Sequence, residues 1–183
     1  MAKYGPYLKY NPPLRSKEDV EALWEALRRG VVDMVSTDHW PIPKSEKEKG
    51  WENIWGVDAG GPGVETRIPL LLTFGVRQGR ISLEKFVQIV SENPAKAFGL
   101  YPRKGAIRVG SDADLTVIDL KKKGVIKATE LHTKADFTPY EGWEVQGVPV
   151  ATLVRGKVVM QGGEILAKPG YGRFVRPTRS TKR

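Results

Sequence analysis

The sequence predicts an α/β protein joined to a second, all-β unit, and three features predict it. An apolar run, Val31, Val32, Met34 and Val35, ends in Ser36, Thr37, Asp38 and His39. That is the pattern of a buried parallel strand that hands an acidic side chain to its rim. Just before it, Val20, Leu23, Trp24 and Leu27 recur at helical spacing, so extended segment, helix and strand follow one another as in a βαβ crossover. From Gly105 onward the texture changes to short β-like runs punctuated by glycine.

Residues 7–10 read as a short extended piece, which Asn11-Pro12-Pro13 breaks because paired prolines cannot donate to a sheet. Ser16 is a helix N-cap with Glu18 and Asp19 in the first turn, and Gly30 ends the helix after Arg28 and Arg29. The strand is expected over 31–37. Residues 42–63 lack periodicity, and the tryptophans Trp51 and Trp55 favour a lid or packed cover over disorder. The cluster Gly60-Gly61-Pro62-Gly63 would let the backbone approach a ligand closely, or would simply turn the chain. An apolar helix is expected over 64–76, closed by Gly79, and a second from the cap Ser82 to Val90. A third, short helix begins at 91–94 with Pro94 in its first turn and ends at Gly99. The β-like runs are 106–109, 113–119, 148–154, 157–160 and 164–166, with a hairpin turn near Arg155-Gly156. The divisions expected are 1–103, 104–169 and a basic tail, 170–183.

Composition narrows the function. The chain has 183 residues, no cysteine and two histidines, which removes disulfides and thiolate metal sites. No run of about 18 apolar residues is present, so no membrane span is expected, and the cytoplasm is favoured. The net charge of +9 is concentrated at the end, where Arg173, Arg176, Arg179, Lys182 and Arg183 leave about +4 elsewhere. That tail lacks the aromatic interleaving that stacks bases, so nucleic acid is an unfavoured partner.

Asp38 is the candidate for chemistry, although an aspartate after a strand also serves as an ordinary turn or cap residue. His39 follows it directly, so in extended chain the two side chains point to opposite faces, and His39 reads as a hydrogen-bonded structural residue. A two-metal hydrolytic centre needs several imidazoles or carboxylates converging on its ions. This inventory cannot build one alone, but it can contribute a carboxylate.

The succession KYNPPLRSKEDVEALWEALRRG, VVDMVSTDHWP, GGPGVETRIPLLL, SENPAKAFGLYPRKGAIRVGSDADLTVIDL, TPYEGWEVQGVPVATLVRGKVV and PGYGRFVRP resembles the cyclic amidohydrolases. These are the dihydroorotase, hydantoinase and allantoinase branch of the amidohydrolase superfamily. The resemblance implies the C-terminal portion of a (β/α)₈ TIM-like barrel, its last two strands at 7–10 and 31–37 with the helices that follow, plus a small β-rich composite domain. It implies that Asp38 binds one of two zinc ions and moves a proton from the attacking hydroxide to the leaving nitrogen. It also implies that Asn11 contacts the substrate and that Gly60, Gly61 and Gly63 present backbone to the substrate ring.

Two departures modify this expectation. Where dihydroorotases carry a second histidine that holds the substrate carboxylate, this chain has Ile42, which favours an uncharged, hydantoin-like ring. The family's remaining metal ligands have no counterpart here, so the binuclear zinc site is expected to need a missing N-terminal half or another subunit. The alternatives are a non-catalytic remnant that self-associates as a homo-oligomer, or a basic binding module.

Overall fold

The structure is a computed structural model that describes residues 4–177. Helix α1, Lys17–Arg29, is bounded as its end residues require. The Ser16 hydroxyl accepts from the Asp19 amide while the Asp19 carboxylate accepts from the Ser16 amide, and Gly30 closes the helix in the left-handed region. Leu27 enters the core and Trp24 packs against it, whereas Val20 and Leu23 on the same side of the helix remain exposed.

The two expected barrel strands are corrected. Residues Gly5–Leu8 form a short helical turn, because Pro6 near its start fixes a helical φ and has no amide to give a ladder. Residues 31–37 form no β ladder among the described residues. A parallel strand is held by strands on its flanks, and here other groups take its backbone. The Val31 and Val32 amides both donate to the Ala26 carbonyl (2.9 and 3.2 Å), and the Val35 amide donates to the Ile89 carbonyl (3.1 Å). The Asp33 and Val35 carbonyls accept from Asn93 Nδ2 (2.7 Å) and Arg67 Nη1 (2.9 Å). Nor is the segment wholly buried: Val32 and Val35 pack on the core, while Val31 is 70% exposed.

Residues 42–63 are more regular than their sequence suggests. They hold helix α2, Lys44–Glu48, and single turns at Lys49–Trp51 and Ile54–Gly56. Helix α3, Arg67–Leu71, runs on into a wider turn, Leu72–Val76, where the Arg77 amide reaches back five residues to the Leu72 carbonyl (2.9 Å). The expected second and third helices are one continuous helix. Helix α4, Leu83–Val87, passes through a wide turn, Gln88–Glu92, into α5, Asn93–Ala97. Pro94 has no amide, and the widened turn just before it accommodates that missing donor without ending the helix.

Four strands, β1 (Leu115–Val125), β2 (Glu144–Val154), β3 (Lys157–Gln161) and β4 (Glu164–Ile165), form an antiparallel sheet in sequence order. The β2–β3 hairpin turns at Arg155-Gly156, both with positive φ (50° and 78°), as a tight two-residue turn requires. The run expected at 106–109 is not a strand; Ile107 and Val109 lie exposed between the turn glycines Gly105 and Gly110.

The core is Leu27, Leu71, Leu72, Ile81, Phe86 and Ile89, and Ile118 of β1 packs against it. The sheet is pinned to α3 and its wide turn at two points. Thr73 Oγ1 accepts from the Gln146 amide (2.9 Å), while its own hydrogen goes to the Pro69 carbonyl (2.7 Å) with the Gln146 carbonyl 3.2 Å away. Gly147 next to it lies against Leu72, where a Cβ would meet that side chain at 2.9 Å. Of the basic tail, Arg173 and Arg176 lie in the described part, and Arg179, Lys182 and Arg183 lie outside it. Among the described residues no helix is long and apolar enough to cross a membrane.

Candidate active site

Three stretches of chain, around residues 10–14, 36–40 and 58–60, converge on an open depression of ≈ 520 Å³. Its walls include Tyr10, Asn11, Thr37, Asp38, Asp58 and Gly60. Asp38, Asn11 and Gly60, singled out from the sequence, are thus brought together, although 27 residues of chain separate the first two.

Asp38 sits at φ 43°, in the left-handed region where aspartate is one of the few tolerated side chains other than glycine. It is exposed, and no hydrogen bond or ion pair engages its carboxylate among the described residues. His39 is turned to structural work. Its Nδ1 accepts from the amides of Gly63 (3.1 Å) and Val64 (3.4 Å), which places its hydrogen on Nε2, facing Thr133 Oγ1 at 3.5 Å. Around it, His39 and Gly61 form a single parallel bridge, and the Trp40 amide donates to the Gly61 carbonyl (3.1 Å).

The three glycines divide between two tasks. Gly60 lines the depression at φ 122° and donates its amide to the Lys9 carbonyl (2.9 Å). Gly61 is buried against the Tyr10 hydroxyl, which occupies the space a Cβ would need. Gly63 lies against Thr37 and serves His39. Gly61 and Gly63 do not line the depression; they let the loop close tightly behind its wall.

The remaining support comes from a distant stretch that wraps the back of the site. Asp136 Oδ1 accepts from the Lys44 amide (2.6 Å), Phe137 stacks on Tyr7 at 5.2 Å, and the other histidine, His132, is held by Glu65 (2.9 Å). Burial, aided by Tyr140, pushes the Tyr10 phenol up to about 12, so at neutral pH it keeps its proton and is no base. Asp58, Trp40 and Tyr10 were not apparent from the sequence as site residues. Asp58 lies two residues before Gly60, the one local hint available.

The donor set does not fit a binuclear zinc centre. Both imidazoles are committed elsewhere, and among the described residues no three of histidine, aspartate and glutamate group as a metal site. What the depression offers is carboxylate, from Asp38 with Asp58 on a facing stretch. Ile42 is buried beside Trp40 and Pro43 in an adjoining hollow of ≈ 460 Å³.

Comparison with known proteins is consistent over almost the whole chain. The family model described as the amidohydrolase family matches residues 10–159. The L-hydantoinase of Paenarthrobacter aurescens is 44% identical over 173 residues, covering 94% of this chain and 38% of that protein. The dihydroorotase of Pyrococcus furiosus is 44% identical over 172 residues, covering 94% and 39%. The crystal structure of dihydropyrimidinase from Brevibacillus agri superposes with a TM-score of 0.92 at 38% identity, covering 94% of this chain and 38% of that one. This chain therefore spans about two fifths of the length of the relatives it matches.

Proposed function

This chain belongs to the amidohydrolase family, and on that premise we propose that it forms one wall of a cyclic amidohydrolase that opens a ring amide. In this reading it is the C-terminal part of the enzyme. It contributes Asp38 as the acid–base group, and polypeptide outside this sequence contributes the remaining metal ligands. The observation that carries the reading is the Asp38 carboxylate, exposed and unpaired among the described residues, in one depression with Asn11 and Gly60.

The chemistry of these residues suits the reaction. A carboxylate at the rim takes a proton from the water that attacks the ring carbonyl. As the new C–O bond forms and the ring C–N bond breaks, the same proton passes to the leaving nitrogen, and the carboxylate is regenerated. The Asn11 amide both donates and accepts, matching the N–H and C=O edge of a cyclic amide. Gly60, where a Cβ would meet the Trp40 side chain at 2.8 Å, lets the wall pack closely on Trp40, while Gly61 and Gly63 hold that wall through His39. With Ile42 buried and uncharged, the substrate favoured is a neutral, hydantoin-like ring.

The test is a chimera in which this chain replaces the matched segment of the Paenarthrobacter aurescens L-hydantoinase. Hydantoin hydrolysis is expected from the chimera, and Asp38→Asn is expected to lower kcat by at least about 10²-fold. A chimera with Asp38→Asn that turned over like its parent would refute the role.

A further inference from the structure

Lys47 in α2 has no solvent-exposed surface, yet no carboxylate pairs with it among the described residues. Its Nζ donates instead to two carbonyls, those of Lys9 (3.1 Å) and Asp58 (3.0 Å), and lies 5.8 Å from the centre of the Tyr10 ring. Removing an ammonium from water costs several kcal/mol, so a position needing only bulk is better served by an apolar side chain. The two carbonyls explain the charge. Two residues beyond Lys9 stands Asn11, and two beyond Asp58 stands Gly60, and both line the depression. The Lys9 carbonyl also accepts the Gly60 amide at 2.9 Å, so one ammonium gathers both stretches into a single network. The Lys9 side chain ties down the Ile54 carbonyl (2.8 Å) and the Val57 carbonyl. Burial and the neighbouring Lys9 ammonium lower the proton affinity of Lys47, and the Asp58 carboxylate offsets this only in part, so the site holds this charge at a cost.

We propose that Lys47 is a positioning residue: through the Lys9 and Asp58 carbonyls it sets the spacing between the Asn11 wall and the Gly60 wall, and so the fit of the substrate ring. The inference rests on the function proposed above, but its first test does not need activity. In hydrogen exchange on this chain, Lys47→Met is expected to speed exchange of the Gly60 amide and of residues 57–61 by at least about 10-fold. The β2–β3 hairpin is expected to keep its protection, and Lys47→Arg, which retains charge and donors, to restore Gly60 to within about 3-fold. In the chimera, Lys47→Met is expected to raise KM for hydantoin about 10-fold while kcat and its pH profile stay near the parent's.

Unchanged exchange at Gly60, or acceleration spread equally over the sheet, would overturn the proposal. Should Lys47→Met not fold, Lys47→Gln, whose shorter arm cannot serve both carbonyls, is read by the same criteria. An inactive parent chimera would count against the enzymatic reading alone, because the exchange result still decides what Lys47 holds.

Discussion

Asp38 occupies a backbone conformation, φ 43°, that most side chains resist. Asparagine shares aspartate's tolerance for it, so Asp38→Asn should unfold at the same urea midpoint as the parent, and its loss of hydrolysis is then chemical. Asp38→Ala should cost about 1 kcal/mol in the same unfolding measurement, from strain alone. Lys47 gives a second expectation at this scale, and its sign follows from linkage. Burial holds its pKa below the ordinary 10.5, so between the lowered value and 10.5 the unfolded chain binds more protons than the folded one. Unfolding free energy should therefore rise with pH through that window, and Lys47→Met should flatten this slope in urea titrations run at alkaline pH up to 10.5.

Among the elements, α1 was legible to its last residue, because its ends are decided locally. Ser16, Asp19 and Gly30 each satisfy a terminal backbone group within a few residues of themselves. The Arg155-Gly156 hairpin was legible for the same reason. The two expected strands were not, since their apolar pattern is real but their ladders depend on partners distant in sequence. His39 shows the opposite case, a side chain that builds an element rather than belonging to one. It accepts both the Gly63 and Val64 amides, so His39→Ala should leave them unpaired and cost about 1–3 kcal/mol in chemical unfolding. Faster amide exchange at 61–64 should accompany the loss, because the bridge to Gly61 goes with it.

For the molecule as a whole, the notable feature is apolar surface that nothing covers among the described residues. Val31 is 70% exposed and Leu23 56%, both from segments whose other side chains reach the core. On the function proposed above, this face is expected to be completed by further polypeptide. A pair of variants separates this from ordinary surface. In the chain alone, Leu23→Lys and Val31→Lys should each change stability by less than about 0.5 kcal/mol, as exposed positions do. In the chimera with the L-hydantoinase they should lower the thermal midpoint by several degrees. Equal behaviour in both contexts would mean that the face stays open.

The sequence by itself determined the ends of α1, the hairpin, the change of texture after residue 105, and marked Asp38, Asn11 and the glycine loop as stretches to examine. Each of those is written in neighbouring residues, through caps, periodicity, turn chemistry or a run of motifs in order. Only the tertiary structure decided that Gly60 lines the depression while Gly61 and Gly63 brace it, and that His39 is spent on backbone amides. It alone placed a buried lysine between Lys9 and Asp58. The physical reason is range: a cap is satisfied within one turn of helix, whereas a buried donor or an open strand edge takes its partner from wherever the folded chain brings one.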